Sequence, residues 1–242
     1  MNINSSPFAI VIPCFRDAEN IPFVVAGLNK YIPHAKIIIV DDSPSSEQKK
    51  LQQFAAKHKD LTVMFRTGKL GRGNAVLAGL KKALEDKNIT HIFEMDADTS
   101  HDPHDIKKFL PLTKKADVVI GSRYVRGSNI ENWPKQRIFF SSLINGLFLR
   151  LLLNLPLHDY TNGYRMYNRR AAEFLLKTPM KQSGFLLLSE TAFVLHHAGF
   201  ILTEVPITFT DRKYGKSSVG IQELLSSLMG AFTIRFFHEK DR

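Results

Sequence analysis

Cysteine is nearly absent from this chain: Cys14 stands alone among 242 residues. No internal disulfide can form, so the fold must rest on a packed core, and such usage fits a reducing compartment. Cys14 closes an apolar run and reads as a small buried residue rather than a nucleophile. Long hydrophobic runs are missing too. No stretch reaches the roughly 18 apolar residues that a membrane-crossing helix needs. The start, MNINSSPFAIVIP, lacks a basic lead and its apolar run is short, which argues against a secretory signal peptide. There is no internal repeat, no low-complexity segment and no block of like charges that would mark a binding tail. These absences argue against a disulfide scaffold, a helical membrane protein and a solenoid. What remains is a globular domain, and 242 residues suffice for one sizeable core.

Charge of one sign is in excess. Thirty-three basic side chains against 23 acidic ones give a formal charge of +10. Such a surface attracts polyanions: nucleic acid, an anionic membrane face or phosphorylated substrates. Hydropathy then sets the class. Phe8–Ile12, Lys36–Val40, Leu61–Phe65, His91–Met95 and Ala116–Ile120 are short apolar runs, the mark of strands buried on both faces. Between them lie segments with helical spacing. These are IPFVVAGLNKYI with Asp17 as its candidate cap, Ser46–His58, the stretch after Gly73, and Asp105–Leu112. The alternation predicts an α/β fold with an open, mostly parallel sheet flanked by helices.

In such sheets ligands bind beyond the carboxyl ends of the strands. Three of those ends carry charge here: Asp41 with Asp42, Asp96 with Asp98, and Arg123. Residues i and i+2 of an extended chain share a side, so Asp96-Ala97-Asp98 sets two carboxylates together. Hard cations such as Mg²⁺ or Mn²⁺ prefer oxygen ligands and are commonly held by one or two carboxylates plus substrate phosphates. Alone, Asp-x-Asp is more often a solvated turn; several charged strand ends on one edge make a pocket. Gly68, Gly71 and Gly73 match neither the P-loop nor the dinucleotide fingerprint. They read either as a flexible connection or as a loop that meets a diphosphate, itself or through Lys69 and Arg72.

The second half changes character. Trp133–Asn154 is apolar but interrupted by Arg137, Asn145 and Arg150. It reads as a core helix or as a helix lying in a membrane interface, as does Ile221–Phe237 near the end of the chain. HDYTNGYRMYNRRA mixes turn, aromatic and basic residues, and Phe185–Phe200 has the look of a helix carrying Glu190.

Seven segments stand together in one order. They are VIPCFRDAENI (Val11–Ile21), VDDSPSSE (Val40–Glu47), EMDADTSHDP (Glu94–Pro103), GSRYVRGS (Gly121–Ser128), WPKQRIFFSSLIN (Trp133–Asn145), DYTNGYRMYNRRA (Asp159–Ala171) and EVPITFTDRKYGKSS (Glu204–Ser218). With them the chain resembles the polyprenyl-phosphate glycosyltransferases of the inverting family 2 type, nearest to the dolichol-phosphate mannose synthase branch. The resemblance implies a glycosyltransferase A-type fold in one domain over residues 1–242, with a nucleotide-sugar half (1–128) and an acceptor half with interfacial helices (129–242). By that likeness Pro13, Phe15, Asp17, Val40 and Asp42 line the nucleoside pocket. Asp96, Ala97 and Asp98 hold a metal, Mg²⁺ or Mn²⁺, and the diphosphate, with Ser100 beside them. Arg123, Arg137 and Ser141 receive the acceptor's phosphate. Arg212 sits on a basic loop that closes over the donor, and Lys216 is the candidate for that loop's lysine.

The same likeness implies GDP-mannose as donor, with UDP-glucose or a UDP-amino sugar as the alternative. The acceptor is a polyprenyl phosphate, and a saccharide is the alternative there. The place of action is the cytoplasmic face of a membrane, alone or with an anchoring partner, and no nucleic acid is expected. A non-catalytic basic module for anionic lipid or nucleic acid is the reading from a different class. One departure stands out: Phe15-Arg16-Asp17 lies where that family usually carries Tyr-Asn-Glu.

Overall fold

A computed structural model describes residues 6–68, 71–182, 184, 186–211 and 230–236. The apolar runs become strands β1 (Phe8–Cys14), β2 (Lys36–Asp41), β3 (Leu61–Phe65), β4 (His91–Glu94) and β5 (Val118–Ser122). A short pair follows, β6 (Asn129–Glu131) and, late in the chain, β9 (Thr208–Thr210), with β7 (Arg165–Asn168) and β8 (Leu202–Pro206) between them. The main sheet has seven strands in the order β3-β2-β1-β4-β7-β5-β8. All run parallel except β7, which is antiparallel to both β4 and β5. β6 and β9 form a separate parallel pair.

β7 was hidden in the segment read as turn, aromatic and basic residues. Its four residues, Arg-Met-Tyr-Asn, offer no apolar run, yet Arg165, Met166 and Tyr167 are buried. Arg165 is accommodated because its guanidinium donates to the carbonyls of Asn162, Leu188 and Tyr160 and to the Thr191 hydroxyl. A buried cation needs such saturation.

Helices α1 (Ile21–Tyr31), α2 (Ser45–Ala55) and α3 (Arg72–Leu84) connect the parallel strands. Asp17 does not cap α1. The cap position is Asn20, without a side-chain cap bond, and the turn Asp17–Asn20 is closed by the Asn20 N–H donating to the Asp17 carbonyl. Asp17 thus stands one turn too early. The expected Asp105–Leu112 helix is a short α4 (Ile106–Phe109) between two 3₁₀ turns. The interrupted apolar segment is α5 (Lys135–Leu143), a π-helical stretch Ile144–Leu149, and α6 (Arg150–Leu153), which stops at Asn154 in the left-handed region. Asn145 marks the π stretch. Its side chain donates to the Ser141 carbonyl and accepts from the Tyr160 N–H and the Thr161 hydroxyl. Such bulges occur where a side chain inserts into the helix ladder. Then come α7 (Arg169–Lys177), capped by the Asn168 side chain, and α8 (Leu186–His197), buried from Leu186 to Leu195.

Alternate strand residues feed two cores. Val11, Val40 and Ile92 pack beneath α3, α7 and α8. Ile10, Ile12, Ile39 and Phe93 pack against α1 and α4. Cys14 lies in the second core, and burial pushes its thiol pKa up, as for an inert structural cysteine. α3 reaches β1 through small residues. A Cβ on Gly79 would sit 2.2 Å from Val11 Cγ1. Gly79→Ala should therefore overpack this contact and lower stability by about 1–3 kcal/mol. Chemical denaturation would read this as a lower midpoint at unchanged slope.

Candidate active site

The edge beyond β1 and β2 is braced by hydrogen bonds across its loops. Arg16 takes a left-handed conformation (φ 62°) and its N–H donates to Ser43 Oγ at 2.8 Å. Ser43 Oγ donates in turn to Asp41 Oδ1 at 2.6 Å. Pro13 and Val40 are register partners, Val40 fully buried and forming the floor. Phe15 and Asp17 are half-buried on the loop above. Asp42 is gripped by the Arg66 fork, with Nε at 2.7 Å and Nη2 at 2.6 Å. Arg66 was not singled out in the sequence, and the acid it holds lies 24 residues upstream.

The Asp-x-Asp element differs from the simplest expectation. β4 ends at Glu94, so Asp96 and Asp98 sit in a loop rather than on a strand tip. Two turns shape that loop. Thr99 is left-handed (φ 63°), and the Ser100 N–H donates to Asp98 Oδ1 at 3.1 Å. The Asp96 N–H donates to His101 Nδ1 at 3.2 Å, so the ring carries its proton on Nε2 and donates it to Asn162 Oδ1. Asn162 in turn donates to the Gly121 carbonyl at the end of β5. His101, buried and stacked on Tyr164, was also missed; it ties the acidic loop to the neighbouring strand end.

Ala97 and Ser100 are buried in the loop, and Ser100 Oγ is a buried hydroxyl without a hydrogen-bond partner among the described residues. The donor set, two carboxylates and this orphaned hydroxyl, is all hard oxygen and fits Mg²⁺ or Mn²⁺. Among the described residues no group of three His, Cys, Asp or Glu side chains forms a ready-made cage. Diphosphate oxygens and water would complete the coordination.

Across the cleft, Arg123 leaves β5 into a nest of partners. Its N–H, Nε and Nη2 all reach the Asp159 carboxylate at 2.7–3.0 Å, and Nη2 also reaches Thr161 Oγ1 at 2.8 Å. The guanidinium lies 5.3 Å from the ring centroids of Tyr124 and Phe209. Burial alone would push the Asp159 carboxyl up, but the Arg123 charge together with the hydrogen bonds from Arg123 and the Thr161 N–H outweighs it and holds the group below the usual carboxylate range. Arg137, on α5, stacks on Trp133 at 4.0 Å and pairs with Asp211 at 3.1 Å. One turn on, Ser141 Oγ meets the Tyr124 hydroxyl at 2.6 Å. β9 joins this side to the acidic loop: the Thr210 N–H donates to the Ser100 carbonyl, and Phe209 bridges to His101.

The structure thus gathers Asp96, Asp98, Arg123, Arg137 and Ser141 around one edge. Lys69, Arg212, Lys216 and most of the Ile221–Phe237 segment lie outside the described residues; 230–236 is helical.

A mostly parallel sheet with an Asp-x-Asp loop at its carboxyl edge and arginines opposite is the build of a glycosyltransferase. The chain belongs to glycosyl transferase family 2, whose model matches residues 9–176. It is 36% identical over 213 residues to polyprenol monophosphomannose synthase of Mycolicibacterium smegmatis, covering 87% of this chain and 80% of that protein. It is 33% identical over 210 residues to undecaprenyl-phosphate mannosyltransferase of Micrococcus luteus, covering 86% of each. Among solved structures, it is similar in fold to mannosyl-3-phosphoglycerate synthase from Rubrobacter xylanophilus. That match has a TM-score of 0.66 at 15% identity and covers 97% of this chain and 75% of the other. Glucosyl-3-phosphoglycerate synthase from Mycobacterium tuberculosis, in complex with Mn²⁺ and uridine-diphosphate-glucose, is similar at 0.65 and 14%, covering 94% and 78%. At these identities the likeness establishes the glycosyltransferase A-type fold.

The Arg123–Asp159 pair carries a stability prediction. Asp159 has a folded pKa below its unfolded value of about 3.9, so its contribution is complete above that pH and is lost as pH falls through the folded value. Asp159→Asn should cost about 3–5 kcal/mol at neutral pH, the usual penalty for breaking a buried pair. Its melting temperature should then fall less steeply on acidification than that of the unaltered protein.

Proposed function

We propose that this protein transfers a mannosyl group from GDP-mannose to a polyprenyl phosphate at a membrane surface, with inversion at the anomeric carbon and with Mg²⁺ or Mn²⁺ on Asp96 and Asp98. The observation that carries this reading is α5. It carries Arg137, paired with Asp211, and Ser141, in contact with the Tyr124 hydroxyl, while Phe139, Phe140 and Leu143 stand exposed, and no residue of the helix is buried. Apolar rings on one face and phosphate-binding groups on the other suit an acceptor whose tail stays in lipid. The names of both mannosyltransferase relatives support the same acceptor and sugar.

The chemistry asks little of a general base. A phosphate monoester has a second pKa near ~6 and arrives largely ionised. One of its oxygens attacks the anomeric carbon; the bond from that carbon to the donor's β-phosphate oxygen breaks, and GDP leaves with the electron pair. A bound divalent cation supplies positive charge to the departing diphosphate. The remaining task is to bring two anions together. Arg137 meets the acceptor phosphate, since its planar fork engages two oxygens. Ser141 and Tyr124 add hydroxyls, and Arg123 contributes charge from the wall. Pro13, Phe15, Asp17, Val40 and Asp42 form the nucleoside side, and Arg212 and Lys216 contribute positive charge towards the donor. The donor half thus spans 1–128 and the acceptor half 129–242.

Location follows from the same surface. Among the described residues no helix is long and apolar enough to cross a membrane. Phe232 and Phe236 are exposed as well, Phe148 contacts Phe232, and Lys135 on α5 and Arg150 on α6 are exposed basic residues. Each basic residue near an anionic leaflet adds about 1 kcal/mol of attraction. The protein would sit on the cytoplasmic face, with or without an anchoring partner.

Purified protein given polyprenyl phosphate, Mn²⁺ or Mg²⁺ and a panel of labelled nucleotide sugars should move label into the organic phase from GDP-mannose, and a chelator should stop it. Label arriving only from a UDP-sugar would overturn the donor assignment while keeping the reaction class. Arg137→Ala should weaken acceptor use at unchanged donor affinity; equal loss of both would sink its assignment. Replacing Phe139 and Phe140 by serine should weaken vesicle sedimentation by at least about tenfold, since a buried phenylalanine is worth about 1.5–3 kcal/mol.

A further inference from the structure

Arg72, the residue directly after Gly71 and the first of α3, does not reach outward as a diphosphate ligand. Its guanidinium lies 13% exposed and spans two carboxylates. Nη1 donates to Glu94 Oε1 at 2.6 Å, while Nε and Nη2 both donate to Asp96 Oδ1, at 2.9 and 2.6 Å. Glu94 is itself fixed, being buried and accepting from the Tyr167 hydroxyl through Oε2 at 3.0 Å. Tyr167 belongs to β7, so the chain of contacts runs from the sheet through Glu94 and Arg72 to Asp96. The backbone makes room for it: a Cβ on Gly163 would lie 1.9 Å from Arg72 Nη2.

Two features separate this arrangement from an ordinary ion pair. First, the inner carboxylate is the holder and the outer one is the held. Glu94 is 1% exposed and Asp96 is 22% exposed, so the fork pins by one oxygen the acid that faces the cleft. Second, the grip needs a planar fork: Nε and Nη2 meet the same oxygen, Asp96 Oδ1, while Nη1 holds Glu94, an arrangement that a point cation such as lysine does not reproduce.

We propose that Arg72 is the positioning residue of the metal site: braced by Glu94 and Tyr167, it holds the Asp96 carboxylate turned to ligate while staying off the substrate itself. The inference rests on the reading of Asp96 and Asp98 as metal ligands. It makes a prediction opposite in sign to simple electrostatics. A guanidinium that merely competed with the cation would, on removal, let the cation bind more tightly. A guanidinium that orients its ligand would, on removal, weaken binding by about 10–100-fold, the range for partners that orient metal ligands.

The test is a Mn²⁺ titration followed by the loss of the free-ion paramagnetic signal, with and without GDP, on the full chain. Arg72→Met, Arg72→Lys and Gly163→Ala should all weaken Mn²⁺ binding by roughly tenfold or more. Lysine keeps the charge without the fork, and the Gly163 methyl keeps Arg72 but displaces its guanidinium. Metal-free nucleotide affinity should stay unchanged in all three. Mn²⁺ binding equal to or tighter than that of the unaltered protein in folded Arg72→Lys or Gly163→Ala would overturn the proposal, even if Arg72→Met fails to fold. Asp98→Asn serves as the control for the underlying reading. If it binds Mn²⁺ as the unaltered protein does, the ligand assignment fails. If it loses binding while the Arg72 and Gly163 variants do not, only the role of Arg72 fails.

Discussion

The constraint on which this site depends is the repulsion of acids gathered at one sheet edge, answered each time by an arginine. Parallel strands that end together bring their terminal side chains together. Here those side chains are Asp42, Glu94 and Asp96, with Asp159 just across. Each is met by a forked cation: Arg66 on Asp42, Arg72 on Glu94 and Asp96, Arg123 on Asp159. Arginine suits this task better than lysine because its donors lie in one plane and can serve two oxygens at once. The pairs also bind distant parts of the chain to one another, so the same contacts that discharge the edge also fasten its loops.

The sequence revealed the scaffold wherever burial leaves an unbroken apolar run. β1 to β4 fall within a residue or two of their expected bounds, because a strand covered on both faces has little choice of side chain. β7 escaped for the opposite reason. It is four residues long, it opens on Arg165, and it is inserted antiparallel between strands that a simple alternation would make neighbours. What buries it is tertiary: four hydrogen bonds that the guanidinium donates to groups outside the strand. β6 and β9, three residues each, carry no periodicity to read.

The site was legible in its acids and not in their holders. Asp96, Asp98, Asp42 and Arg123 announce themselves by standing just after apolar runs. Arg66, Arg72, His101 and Asp159 do not, since their partners lie between 5 and 61 residues away and depend on how loops meet. Arg72 illustrates the difficulty. In sequence it looked like part of a glycine loop with an open choice of partner, and only the fold shows that Gly163, far along the chain, leaves the space in which its guanidinium lies. The apolar stretch around α5 was ambiguous for a related reason. Its composition suits a core helix, and only the absence of any buried residue along α5 separates it from one.

Asp211 has a consequence for the order of events in the cleft. In this structure it pairs with Arg137, so on the proposed assignment an arriving phosphate would exchange with a carboxylate instead of filling a vacancy. Asp211 also follows directly on β9, whose Thr210 is tied to the Ser100 carbonyl in the acidic loop, and its own N–H is held by Glu131. On the proposed assignments, a carboxylate released at the acceptor end would be attached, by one residue of backbone, to the loop that faces the donor. Any influence carried along that link would by thermodynamic necessity be mutual.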